Sequence, residues 1–170
     1  MNWTNIINLE TLEYKSEQKN ENYRHESAPL AHQMGAQKLG FHAEILAPRC
    51  FSCPYHFHHS EEELFLVLEG EATLRQNGQF RRVTKGDLIF FSNTPEGAHQ
   101  FYNHTDRPFK FLALSTMDPL EVCEYPDSKK VYVSKIKKVF QAGQEVDYWK
   151  DEENPKKYWP KEGSNEHDSQ

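Results

Sequence analysis

"HFHHSEEELFLVLEG", residues 56–70, sets three histidines within four positions, follows them with a run of acids, and closes an apolar stretch on glycine. In an extended chain residues i and i+2 share a face, so His56 and His58 project together with Phe57 opposite. Glu63 stands five positions after His58. That spacing leaves room for a tight bend at "HSEE", so that a second strand runs back beside the first and ends at Gly70. Further along, "HQFYN" (99–103) sets His99, Phe101 and Asn103 on one face of another strand.

The surrounding chain reads as all-β. From "KLGFHAEILAP" (38–48) onward, short stretches of Phe, Leu, Ile and Val alternate with Gly, Pro, Asn and Asp. In "EATLRQNGQFRRV" (71–83) the Asn77-Gly78 pair can take the positive φ angles of a two-residue type I′ hairpin turn. "KGD" (85–87) turns the chain into "LIFFS", and "FKFLALSTM" (109–117) and "KVYVSKI" (130–136) supply further strands. No long segment repeats at 3.6 residues, so helix content should be low and the fold a sandwich or small barrel. A barrel gathers the inward-facing residues of distant strands. His56, His58, His99 and Glu63 then form a nitrogen and oxygen ligand set for a divalent transition metal. Burying three imidazoles and a carboxylate without such a partner would be costly.

This constellation resembles the cupin superfamily (RmlC-like). The first cupin motif is a glycine, five residues, H-x-H, three or four residues, a glutamate, six residues and a glycine; His56, His58, Glu63 and Gly70 match it with four residues in the variable gap. The second motif is answered by Gly86, Pro95, Gly97, His99 and Asn103. Three departures stand out. Cys50 replaces the opening glycine, eight residues separate Gly86 from Pro95 where five are usual, and one separates Gly97 from His99 where two are usual. The resemblance covers about residues 38–118. It is closest to bacterial single-domain cupins often labelled mannose-6-phosphate isomerase-like, a label that reflects fold more than chemistry.

The resemblance implies a single cupin double-stranded β-helix, or jelly-roll barrel. Composition divides the chain into an irregular N-terminal arm (1–35), the barrel domain (36–140) and a polar C-terminal tail (141–170), disordered beyond Gly163. The tail carries Trp149, Tyr158 and Trp159, which can dock on the core or on a second subunit. Small cupins commonly pair through sheet edges, so a homodimer is expected. The ligand types suit Fe(II), Mn(II), Ni(II), Zn(II) or Co(II).

Charge and composition exclude several classes. The net charge is −6 with no large basic cluster, so nucleic acid is not expected as a partner. No apolar run reaches the roughly 18 to 20 residues of a membrane span, and the N-terminus lacks the pattern of a secretory signal, which points to the cytoplasm. Three cysteines do not make a disulfide framework. "CFSC" (50–53) has the spacing of a redox or zinc pair, but it reads more simply as two thiols near a strand.

Two kinds of function fit a metal site that takes a small molecule. A metalloenzyme of dioxygenase, decarboxylase or isomerase type would need a general acid or base beside the metal, and Tyr102, Glu62, His59 and Cys53 are candidates. A non-catalytic binding or sensing module would need none. Glu61 shares a face with Glu63 and competes for its role if the register slips. His59 should lie at the rim and His42 can line the mouth; Phe65 and Phe101 share faces with ligands and should line the pocket. Asn103 should stabilise a turn at the barrel end. "EYPDSKK" (124–130) lies outside both motifs and carries no legible chemistry.

Overall fold

The computed structural model describes residues 6–143 and 145–159. Thirteen strands run β1 (Lys15–Asn20), β2 (Tyr23–Ala28), β3 (Leu39–Leu46), β4 (Phe57–His58), β5 (Glu63–Glu69), β6 (Glu71–Gln76), β7 (Gln79–Thr84), β8 (Leu88–Phe91), β9 (His99–Tyr102), β10 (Phe109–Thr116), β11 (Val122–Tyr125), β12 (Lys130–Val133) and β13 (Lys138–Gln141). One short helix, α1 (Leu30–Met34), and a few 3-10 turns complete the described chain. None of its helices is long and apolar enough to cross a membrane.

Every strand pair is antiparallel. A six-stranded sheet runs β1-β2-β3-β10-β5-β8, a three-stranded sheet β7-β6-β9 and a four-stranded sheet β13-β12-β11-β4. This is the jelly-roll arrangement expected from the sequence. Inward-facing Leu46, Phe65, Val67, Phe91, Phe109 and Phe111 of the large sheet pack against Leu74 and Phe101 of the small one. The β5 stretch "LFLVL" divides by alternation: Phe65 and Val67 are buried in the barrel, while Leu64 and Leu66 lie half-buried on the outer face.

Residues 6–35, the described part of the expected arm, carry regular structure. β1 and β2 form a hairpin that extends the large sheet through β2–β3 pairing. Ahead of it, Ile7, Leu9, Leu12 and Tyr14 pack in one cluster with Ala28 of β2, Leu30 of α1, Ala43 of β3 and Leu112 of β10. β1 is exposed along its whole length, so it carries no apolar alternation. It is held by its backbone pairing and by Glu17, which accepts from the Ser27 hydroxyl and lies 3.7 Å from His25.

Turn chemistry closes the barrel ends. Asn77 and Gly78 take φ angles of 45° and 69° between β6 and β7, as the type I′ turn requires. Asn103 is fully buried. Its Nδ2 donates to the carbonyls of Leu46 (3.1 Å) and Arg107 (2.8 Å), and its Oδ1 accepts from the Thr105 N–H (3.1 Å) and hydroxyl (2.8 Å). One side chain thus pins the β9–β10 turn to the end of β3. At the far end of the chain, Trp149, Tyr158 and Trp159 lie exposed rather than docked on the barrel. The stretch expected to be disordered lies outside the described residues.

Asn103→Ala removes four hydrogen bonds and orphans buried partners, so it should cost about 3 kcal/mol or more of unfolding free energy. Urea denaturation measures this; a change below about 1 kcal/mol would mean the turn does not depend on Asn103.

Candidate metal centre

Of the four residues named from the sequence, His56, Glu63 and His99 form one group and His58 stands beside it at Glu63. His56 and His99 face one another across an antiparallel bridge, with His99 N–H donating to the His56 carbonyl at 2.9 Å and His56 N–H returning at 3.3 Å. Their ring centroids lie 4.7 Å apart. His58 follows two residues on and its ring lies 5.1 Å from that of His56. Glu63 opens β5 after the bend, and its Oε2 sits 3.3 Å from His99 Nε2 and 3.5 Å from His58 Nε2. Ligating atoms of His56, Glu63 and His99 all lie within 4.8 Å of one another.

Hydrogen bonding fixes which nitrogen faces inward. His56 Nδ1 lies 3.0 Å from the Pro54 carbonyl and His99 Nδ1 3.0 Å from the Gly97 carbonyl. A carbonyl oxygen only accepts, so each Nδ1 carries the proton and each Nε2 presents a lone pair. Burial lowers the pKa of His56, His58 and His99, so they are neutral near pH 7. Burial also pushes the Glu63 carboxyl up to about 7. Glu63 Oε2 is buried without a hydrogen-bond partner. Lone pairs therefore face a carboxylate oxygen, acceptor against acceptor. A proton on Glu63 relieves one such contact; a divalent cation at their centre relieves all of them. By that measure the residues fit a metal.

The walls are apolar. Phe91 stacks on the His99 ring at 3.7 Å, and Phe65 meets it edge-on at 5.6 Å. Tyr125 stacks against His56 at 5.9 Å, with its phenol pushed up by burial. Cys53 Sγ is 3.5 Å from His56 Nδ1. Burial pushes the Cys53 and Cys123 thiols up to about 12, so both stay protonated at neutral pH. The three cysteines are free, and Cys50 is buried beside the Glu21 carbonyl.

Other expected positions fall elsewhere. Glu61 does not join the cluster at Glu63; its Oε1 accepts from the Asp118 N–H at 2.8 Å. His59 lies at the rim, 3.2 Å from Glu124. Tyr102 alternates to the face opposite His99 and stacks on Phe51 at 4.6 Å, and Glu62 is exposed, so neither is placed to act as acid or base. His42 lies beside Glu44 at 3.6 Å and opposite Ala113 of the barrel core. Arg49 pairs with Asp106.

Sequence reasoning missed Glu121, Tyr125 and the purpose of "EYPDSKK". That segment spans the β11–β12 hairpin. Asp127 takes both ends of the Arg75 guanidinium (2.6 and 2.9 Å), and Glu124 takes His59. The hairpin is thereby tied to the barrel at two points, and β11 pairs with β4 through Cys123 and His58. None of this has a local signal, because each partner lies at least 50 residues away along the chain.

Residues 43–115 match the family model for the cupin domain. Among solved structures, a sugar phosphate isomerase-like protein of Acidithiobacillus ferrooxidans is 21 % identical, with a TM-score of 0.74 over 81 % of this chain and 92 % of that one. A cupin-superfamily sugar phosphate isomerase of Silicibacter pomeroyi is 22 % identical, with a TM-score of 0.71 over 84 % and 97 %. An oxalate decarboxylase-like protein of Thermotoga maritima is 20 % identical, with a TM-score of 0.56 over 66 % and 99 %. At these identities the likeness is one of fold. No protein of curated function matches the sequence.

The Glu63 shift gives a signed pH dependence. In the metal-free chain a carboxyl raised from 4.5 to about 7 favours folding below pH 4.5, and that contribution is lost as the pH rises through 7. The loss amounts to roughly 3 kcal/mol. With a chelator present, wild-type protein should therefore lose about this much stability relative to Glu63→Gln between pH 4.5 and 7.5, measured by urea unfolding. A difference that stays constant over that window would rule out a strained, buried Glu63.

Proposed function

We propose that this chain is a metal-dependent cupin enzyme that acts on a small molecule, with His56, His58, Glu63 and His99 holding a divalent transition metal ion. The observation that carries the reading is that the bare Nε2 atoms of His56 and His99 meet a buried Glu63 Oε2 that has no hydrogen-bond partner. Fe, Mn, Ni, Zn and Co all suit such ligands. When bound, the metal supplies a Lewis acid with open positions for a substrate oxygen, water or O₂.

The chain's own residues supply the rest. Phe65 and Phe91 keep water from the inner side of the histidines, which strengthens electrostatic interactions there. Tyr125 is held protonated at the rim, where its phenol can donate a hydrogen bond to a bound molecule. The reaction belongs to the dioxygenase, decarboxylase or isomerase kinds, and the names of the structural neighbours support the last two.

A second reading, a non-catalytic small-molecule binder, draws on one observation. The two thiols and the phenol around the centre are all held protonated by burial, so none of them serves as a general base at neutral pH.

Elemental analysis of untagged protein tests the metal. About one ion per chain is expected in the native protein and none in the His56→Ala/His58→Ala double variant. A native protein that neither contains a metal nor takes one up from added Fe, Mn, Ni, Zn or Co would sink the proposal. Product formation by the loaded protein, as opposed to saturable binding alone, then separates enzyme from binder.

A further inference from the structure

Glu121 stands outside the ligand set, yet it is only 4 % exposed. Its Oε1 accepts from the His59 N–H at 3.0 Å, and its Oε2 accepts from Ser60 at 2.9 Å and Glu61 at 3.0 Å. Three consecutive amides thus converge on one carboxylate inside the bend between β4 and β5. Glu61 returns the brace by accepting from the Asp118 N–H, which locks the same bend to the turn that carries Glu121.

The carboxylate also reaches the ligand set. Glu121 Oε1 lies 3.3 Å from His58 Nδ1. His56 and His99 hold their Nδ1 protons on backbone carbonyls, whereas His58 Nδ1 is buried and falls short of hydrogen-bond geometry with any partner. The other carboxylate nearby is Glu61, whose Oε2 is farther away at 3.9 Å. A small turn of the imidazole completes the contact with Glu121.

We propose that Glu121 is the positioning residue of the metal centre: it receives the Nδ1 proton of His58, keeps Nε2 bare toward Glu63, and shapes the bend that sets those two ligands side by side. The consequence for metal affinity rests on the metal reading above, whereas the tautomer of His58 does not. A carboxylate behind a ligating imidazole fixes its orientation and makes the ligating nitrogen a better donor. Loss of such a partner typically weakens metal binding by about 10- to 100-fold.

Two variants and two measurements decide it. Glu121→Gln keeps the side-chain size but removes the charge and one acceptor. Thr116→Val loosens the same bend, because the Thr116 hydroxyl accepts from the Glu62 N–H at 3.0 Å, without touching His58. Nitrogen NMR of histidine-labelled, chelated protein reads which ring nitrogen of His58 carries the proton, and competition titration reads zinc affinity. Wild type should show the Nδ1–H form. Glu121→Gln should lose that preference and bind zinc about 10- to 100-fold more weakly, while Thr116→Val keeps the tautomer and near-wild-type affinity. A wild-type His58 protonated on Nε2 overturns the proposal even where the variant fails to fold. So does Glu121→Gln with wild-type tautomer and affinity, or Thr116→Val that matches it in both. Wild-type protein that takes up no zinc, with the tautomer still dependent on Glu121, overturns the metal reading and leaves Glu121 as the holder of His58.

Discussion

The pair of backbone hydrogen bonds between His56 and His99 joins segments that are 43 residues apart and otherwise belong to different sheets. β4 is only two residues long, so it has little hold of its own. On one side it is paired with β11; on the other, the His56–His99 bridge fastens it to the strand that carries the third histidine. Directly opposed antiparallel residues bring their side chains close together, so the bridge that closes the barrel is also what brings the two imidazoles together. The bend then needs only to turn the chain once for Glu63 to meet them.

Gly97 shows how tightly this closure is packed. A Cβ built there would collide with the backbone carbonyl of Ser92. The residue is therefore small for want of space, since its φ lies outside the left-handed region. It lets the chain pass close under the end of β8 before His99 enters β9. Its carbonyl then takes the Nδ1 proton of that histidine. A shortened spacer before His99, compared with the usual cupin pattern, is accommodated in this tight 3-10 turn.

The sequence showed the parts that obey local rules. Alternation placed His56 with His58, and Asn77-Gly78 marked the β6–β7 hairpin, because both signals lie within a few residues. β1 escaped because all six of its residues are exposed, and β2 because polar Tyr23, His25 and Ser27 fill its half-buried face. Hydrophobic periodicity has nothing to register in either strand. Glu121 escaped for a different reason. In "DPLEVCEY" it is one acid among several, and only its burial against amides more than 50 residues back sets it apart. The tail aromatics Trp149, Tyr158 and Trp159 do not dock on the barrel of their own chain, which is one of the two positions their composition allowed.

The stretch that matches the cupin family ends at residue 115, and all four candidate ligands lie within it. The strand that pairs with β4, the carboxylate that braces the bend and the ring that covers His56 all lie after it, between residues 121 and 125. The matched stretch and the set of residues packed around the site therefore have different ends. A fragment cut at the end of the match would keep all four candidate ligands but leave β4, which carries His58, without its β11 partner and fastened only through the His56–His99 bridge. In this chain, contacts to the candidate ligands reach beyond the matched stretch, into the β11–β12 hairpin.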